Sequence, residues 1–350
     1  MGNKALIIYD RQHNPLDEID DYQDDLQYGW TLDDIDTLTV SLALSSPKCT
    51  AVNTQFGNHI ELVDKDSGKT VWGGVIVAHD FTSSAVKLTA SDYSVLLYYR
   101  RMRAKQYPAM EYGALMRQMI EDCQAARADY PIGLTGHNIA SGALQTTRLV
   151  KATDMLWAKL KEFGDDANYD YWIDTSRKFN FALRRGSDKP QYVAEWGGDR
   201  DNIISPPTLA RNIKGLSNSV YAETDADTPL TSSAEDTASE TTYGLYEGVF
   251  SPNDGVSVQS TLDTQANGEL QRNNTPADSV DIALNDSTLC PFDNIEVGDR
   301  ITLHLIPYFD YTASVRILAM QHTEKSNTRK VTVGSLIYRP AKPTKRYYKG

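Results

Sequence analysis

Paired carboxylates are the first chemistry this sequence offers. Asp165-Asp166 and Asp20-Asp21 are adjacent acids, and glycosidases use two carboxyl groups about 5 to 9.5 Å apart, one of them held protonated. In a chain with 47 Asp and Glu, such neighbours arise by chance. Asp165-Asp166 also follows Gly164, which is expected to stop a helix and leave both acids in an exposed turn. Thiol catalysis would need a cysteine, a histidine and an orienting polar group. Cys49 and Cys290 adjoin Pro-containing turns and Cys123 falls on an apolar helix face, so all three are expected as buried or half-buried free thiols. Lacking a CxxC pair, they suggest neither a zinc site nor a disulfide framework, which fits folding in a reducing cytoplasm. The histidines (His13, His59, His79, His137, His304, His322) show neither HxH nor HExxH spacing. His304 and His322 could face each other across neighbouring strands, as surface histidines do. Trp72-Gly73-Gly74 lies inside a strand pattern, where paired glycines permit a bulge or close packing. Trp196-Gly197-Gly198-Asp199 marks a turn. The 20 tyrosines include local pairs (Tyr98-Tyr99, Tyr169 to Tyr171, Tyr347-Tyr348) but no carbohydrate platform, and they suit strands and protein interfaces. No residue is assigned a catalytic, cofactor-binding or metal-binding role, and no cofactor is expected.

At 350 residues the chain exceeds one typical domain. Its 40% hydrophobic and 23% charged content is ordinary for globular proteins. No apolar run approaches the roughly 18 to 20 residues of a membrane helix, so no membrane insertion is expected. MGNKALIIYD reads as a first strand and not a signal peptide. The net charge of −12 argues against nucleic-acid binding by counterion release, while allowing nucleic acid to pass without sticking. Acid concentrates at Asp17 to Asp36 and between Glu223 and Asp254, where no Lys or Arg occurs. Base gathers at Arg100, Arg101, Arg103 and Lys105, and again at Arg339, Lys342, Lys345, Arg346 and Lys349. Each cluster taken singly is a solvated face.

Stepping along the chain, Ala5–Tyr9 is a short strand and Asn14-Pro15 a turn. Thr37–Leu44 alternates polar and apolar strictly, the pattern of a half-buried strand. His59–Asp64 and Thr70–Ala78 flank a Gly-containing loop and predict a hairpin, and Ala85–Ala90 completes a meander. Ser91-Asp92 is expected to cap a short helix over Tyr93–Arg101. Tyr112–Ala126 carries Leu115, Met119 and Cys123 on one face and predicts an amphipathic helix. A second helix, capped by Thr153 or Asp154, is expected over Met155–Phe163 with Gly164 as its stop, followed by strands Tyr169–Asp174 and Lys178–Arg184. Strand patterning returns in Ala210–Glu223. Residues 224–241, small and acidic, are expected to form a long mobile loop between strands. A helix over Val256–Leu270 follows, then strands at Ser279–Leu284, Arg300–Ile306, Thr312–His322 and Lys330–Tyr338, with a turn at Val297-Gly298-Asp299. The expected fold class is mainly β with an α+β insertion: a first β-barrel-like unit (1–105), an inserted α/β module (106–205), a second β-barrel-like unit (206–340) with the mobile acidic loop 224–241, and a basic tail (341–350).

Four stretches give this order a family resemblance: IIYDRQHNPLDEIDDYQ at the N-terminus, VKLTASDYSVLLYYR where the first unit's last strand feeds a helix, TTYGLYEGVF leading into a helix, and DNIEVGDRITLHL around a Gly-Asp turn. In that order they resemble the baseplate or tail-tip hub proteins of tailed phages, which are related to hubs of contractile tails and phage-like injection machines. The resemblance implies a homotrimer whose paired barrel-like units make a pseudo-sixfold ring. That ring would join the tail tube or distal tail protein above to fibre, receptor-binding or tip proteins below, with the tape measure protein as a further partner. The genome would pass through the channel without specific binding, and the place of action would be the virion tail tip, assembled in the bacterial host cytoplasm. Many siphophage hubs continue into a lysin or receptor-contacting extension; only RPAKPTKRYYKG follows Tyr338 here, so wall-degrading activity is not expected. A distal-tail or carbohydrate-binding module is the alternative, and a cell-wall hydrolase the least favoured reading.

Overall fold

The computed structural model describes residues 4–141, 144–145, 147–213, 215–252, 256–308 and 310–334. The basic tail, Tyr347-Tyr348 and the end of the predicted last strand lie outside the described residues.

Period-two patterning sets the first part. Strands β1 (Lys4–Tyr9), β2 (Pro15–Ile19), β3 (Gln27–Thr31), β4 (Thr37–Ala43), β5 (His59–Asp64), β6 (Thr70–Phe81) and β7 (Ala85–Asp92) pair antiparallel in the order β3-β4-β7-β6-β5-β1-β2. In β4 the alternation does what it predicts: Leu38, Val40 and Leu42 are buried while Thr37 faces water. They meet Leu6, Ile8, Ile60, Leu62, Val86 and Leu88 in one core, each such side chain contributing roughly 1.5–3 kcal/mol by burial. Trp72 is 1% exposed and donates its indole N–H to the Gly29 carbonyl at 3.0 Å. The expected close packing at Gly73-Gly74 is present. A Cβ on Gly74 would sit 2.2 Å from the Ser91 carbonyl oxygen, and one on Gly73 would sit 2.8 Å from the Tyr93 ring.

The chain then leaves the sheet. Helix α1 (Val95–Tyr98) is a single turn, shorter than predicted, with the Asp92 carboxylate accepting from the Ser94 N–H at 2.8 Å. Short strands β8 (Lys105–Tyr107) and β9 (Met110–Glu111) precede α2 (Tyr112–Ala125), whose first turn is capped by the Glu111 carboxylate. After β10 (Gly136–Ile139), β11 (Leu144–Gln145) and β12 (Arg148–Val150), helix α3 runs from Leu156 to Ala167, and β13 (Asp170–Ile173) and β14 (Lys178–Ala182) form the predicted hairpin. Leu115, Met119, Leu160, Phe163, Phe179 and Phe181 fill the core of this module. Two expectations for α3 fail. Thr153 and Asp154 do not cap it: the N-cap is Met155, and Asp154 instead accepts from the Lys151 N–H. Gly164 does not end it either. A Cβ there would lie 2.3 Å from the Tyr171 ring, so glycine serves helix-to-strand packing, and the helix ends at Asn168 in a left-handed conformation.

The remaining strands are β15 (Asp188–Trp196), β16 (Thr208–Asn212), β17 (Ser219–Glu223), β18 (Thr231–Glu235), β19 (Glu247–Phe250), β20 (Ala277–Asn285), β21 (Arg300–Leu305), β22 (Tyr311–Thr323) and β23 (Thr328–Gly334). Helices α4 (Thr237–Tyr243) and α5 (Gln259–Asn273) lie between them. Segment 224–241, expected as one long loop, instead holds β18, which pairs with β17, and most of α4, capped by the Asp236 carboxylate on the Ala238 and Ser239 N–H groups. Its composition is polar because only one small face turns inward. Val220, Ala222 and Ala234 pack beneath Leu262, Ala266 and Leu270 of α5.

The thirteen-residue β22 makes the large-scale architecture. Its first half pairs with β21, its second half with β23 on one side and β3 on the other. Among the described residues, thirteen strands thus form one sheet running β16-β20-β23-β22-β3-β4-β7-β6-β5-β1-β2, with β21 and β15 branching from β22. The fold is mainly β with an α+β insertion, as predicted. The two barrel-like units are two cores under a continuous sheet, and no strand pairing closes either into a barrel among the described residues. Strand β15, placed by sequence in the inserted module, pairs with β21 instead.

Candidate assembly surfaces

Three parts of the chain meet at a charged junction. The Asp170 carboxylate, at the start of β13, accepts from the Arg185 backbone N–H and is paired with Arg316 of β22. Arg316 also donates to the Gly298 carbonyl at 3.1 Å and the Arg185 carbonyl at 3.0 Å. From the N-terminal sheet, Asp33 accepts from the Tyr171 N–H at 2.6 Å. Asp36 and Asp92 lie close by: the Asp36 N–H donates to the Asp92 carboxylate at 3.0 Å, and the Asp92 N–H to the Asp36 carbonyl at 2.9 Å. Burial, with Asp92 adding repulsion, pushes the Asp36 carboxyl up to about 7. Burial likewise pushes Asp92 up to about 6, and it holds the Arg185 guanidinium below its usual range. The junction fixes the inserted module against both parts of the sheet.

A second buried ion pair lies within reach of four elements. Arg148 of β12 is 2% exposed and donates to Asp166 of α3 at 3.1 Å and to the Tyr112 hydroxyl of α2 at 3.4 Å. The Gln265 side-chain amide of α5 donates to the same carboxylate at 3.2 Å. Asp165-Asp166 is thus no exposed turn. Continuing the helix past Gly164 turned Asp166 inward.

The other chemically suggestive residues are scattered. His304 bonds Asp310 at 2.8 Å and Glu195 at 3.3 Å, and these acids, Asp310 first, raise its pKa. His322 is buried on β22 against the rings of Tyr28 and Phe292 and bonds Glu324. The two histidines do not face each other, because His304 lies opposite Thr312 and His322 opposite Arg329 and Tyr28. Asp20 pairs with Lys65 and Asp21 accepts from Ser46. Cys123 and Cys290 are buried and Cys49 partly so. Among the described residues no group of three or more His, Cys, Asp and Glu is placed to hold a metal ion, and no helix is long and apolar enough to cross a membrane. A cleft of about 520 Å³ between the sheet parts is bordered by Asp36, Asp281 and Lys330, with no histidine, cysteine or arginine in its lining.

What the surface offers is edges and apolar patches. Strands β2 and β16 end the main path of the sheet, and β15 ends its branch. Edge β2 begins with Pro15 and carries Asp17 and Glu18, which guards it against indiscriminate pairing. On the outer face of the β18-β17-β19 sheet, Tyr221 (44% exposed) sits opposite Val249 (73%), with Tyr243 and Leu245 exposed nearby in sequence. A second patch gathers Phe56, His79 and Phe81, with ring centroids 4.2 and 5.1 Å apart; Phe81 is 66% exposed. Sequence reasoning found β17 and most of β6 but neither β18, β19 nor the patches, because an apolar residue at an outward register position reads like any other until the pairing is known.

The fold is that of phage tail proteins. It is similar to the prophage tail protein gp18 from Listeria monocytogenes (12% identity, 95% of this chain and 94% of that one, TM-score 0.67) and to the prophage MuSo2 43 kDa tail protein from Shewanella oneidensis (8% identity, 94% and 98%, TM-score 0.66). It is also similar to the c3393 protein of E. coli (10% identity, 97% and 75%, TM-score 0.51), a component of the type VI secretion system described as structurally similar to the T4 bacteriophage tail proteins gp27 and gp5. No protein-family model matches the sequence, and no curated protein matches it.

Proposed function

We propose that this chain is a structural subunit of a phage tail tip, a baseplate hub without catalytic activity. Three copies close into a pseudo-sixfold ring that joins the tail tube or distal tail protein to the fibre and tip proteins. The genome passes through its channel without specific binding, and the tape measure protein is a further neighbour. The observation that carries this reading is a fold shared with tail proteins over nearly the whole length of both chains. Two cores joined through one long strand suit it, since each subunit then presents two sheet units to a ring. Open edges and exposed apolar patches suit subunit contacts. The net charge of −12 suits a channel that DNA slides through. Native mass measurement and electron microscopy of purified protein and of assembled particles test it. A three-chain ring at the tail tip is the expected result, and a stable monomer inside assembled particles overturns it.

A further inference from the structure

The sheet β18-β17-β19 has one covered face and one open face. Val220, Ala222 and Ala234 turn inward onto α5, so strand alternation sends Ser219, Tyr221 and Glu223 of β17 the other way. Register adds their neighbours on that side: Glu235 and Glu247 flank Ser219, and Ser233 and Val249 flank Tyr221. Along β17 the open face therefore runs acid, apolar, acid, in rows two residues and about 7 Å apart. Tyr221 and Val249 are 44% and 73% exposed, and Glu223, Glu235 and Glu247 are exposed as well. Glu223 accepts from the Tyr221 hydroxyl at 2.8 Å. Among the described residues none of the three glutamates forms an ion pair, and the chain has no Lys or Arg between residues 223 and 254.

One segment of the chain carries the opposite pattern. The sixteen residues after Gly334, SLIYRPAKPTKRYYKG, include Arg339, Lys342, Lys345, Arg346 and Lys349 and no acid. They lie outside the described residues, but Gly334 fixes where they start. It pairs with Ser279 of β20. Six residues before Ser279, Asn273 ends α5, and its carbonyl accepts from the Ser217 N–H at 2.8 Å, two residues ahead of β17. At about 5 Å for each paired step and about 3.4 Å per residue, Gly334 is no more than about 40 Å from Ser219. The thirteen residues from Gly334 to Tyr347 extend about 45 Å. Lys345, Tyr347 and Lys349 follow one another two residues apart, basic, aromatic, basic. In an extended chain such residues share one side at the spacing of the rows on the open face. Pro340 and Pro343 favour an extended course in the residue before each.

We propose that residues 339–350 fold back over the open face of the β18-β17-β19 sheet in the same subunit, with Lys345 and Lys349 on the glutamates and Tyr347 against Tyr221 and Val249. Exposed ion pairs are individually weak, so a free peptide of this sequence would hold the face loosely. A tethered segment meets it at an effective concentration in the millimolar range, where weak contacts suffice. The tail of a second copy has no such advantage in dilute solution. An apolar patch that would otherwise remain open to indiscriminate contact is thereby covered by the subunit itself.

The test uses the full chain with the photo-crosslinking residue p-benzoylphenylalanine in place of Tyr347. Peptide mass spectrometry maps the adduct, and denaturing gels separate links within one chain from links between chains. The expected adduct lies within one chain, on residues 219–223 or 247–250. Its yield should fall about tenfold in E223Q/E235Q/E247Q, which removes three exposed ion-pair partners. K345E/K349E should lower it at least as much, and it alters none of the described residues, so it serves if the first variant fails to fold. Raising the salt from about 20 to about 200 mM should lower the yield about fivefold as screening shortens. Adducts on another surface, adducts between chains, or a yield that neither set of substitutions changes would overturn the proposal.

Discussion

Replacing Asp36 with Asn should remove a pH dependence that the junction builds into the fold. Asp36 is raised from an ordinary carboxylate value of 3.8 to about 7 by burial and by Asp92, and one of its oxygens is buried without a hydrogen-bond partner. Ionising it therefore places a poorly compensated charge beside a second acid. A group whose pKa is higher in the folded than in the unfolded state contributes stability that is complete below the unfolded value and is lost as pH rises through the folded one. The window here runs from about pH 4 to about pH 7. An upward move of about three pH units, at about 1.4 kcal/mol each, sets an upper value of about 4 kcal/mol. Partial access of water to the cleft that Asp36 borders lowers this to about 2 kcal/mol. Asn mimics the neutral acid, so D36N should match the parent near pH 3, below the window, and exceed it by about 2–4 kcal/mol near pH 8. Urea midpoints followed by near-ultraviolet circular dichroism at both pH values measure the difference. A parent-to-variant difference that is the same at both would refute the argument that this carboxyl is held neutral.

Three further outcomes follow from the packing. Arg148→Met leaves Asp166 without its buried cation and should cost about 3–5 kcal/mol, whereas R148M combined with D166L should recover much of the loss, because a well-packed apolar pair can replace a buried ion pair; urea denaturation of the parent and the two variants decides it. Gly164→Ala, which on helix propensity alone would gain about 1 kcal/mol, should instead destabilise by about 1–3 kcal/mol, since its Cβ meets the Tyr171 ring; a raised melting temperature would contradict that packing. In a histidine proton NMR titration, His304 should titrate above 6.5, held there by Asp310 and Glu195. His59, buried and beside His13, should titrate near 4, and D310N should bring the His304 midpoint down.

Much of the strand content was legible because alternation is a local signal. Leu38, Val40 and Leu42 announce β4, and Ile301, Leu303 and Leu305 announce β21, without reference to any partner. Helix α2 was equally plain, since Leu115, Met119 and Cys123 recur at helical spacing. Glycine and composition misled where packing overrode local preference. Gly164 looked like a helix stop but makes room for Tyr171, and the Ser/Thr/Asp-rich 224–241 stretch looked unfolded, although its few inward residues find α5. The failed pairing of His304 with His322 has the same origin, because strand order rather than strand pattern decides which residues face each other.

By itself, then, the sequence determined the mainly β character, the helix α2 and the absence of the familiar catalytic and metal-ligand spacings. These depend on periodicity and on short-range spacing. Tertiary structure alone decided that one strand, β22, fuses the two parts of the sheet, that Asp170 meets Arg316, and that Asp166 is buried on Arg148. Partners 146 residues apart leave no mark on their local sequence. Only the packing that brings them together, and the loss of water around them, gives those charges their roles.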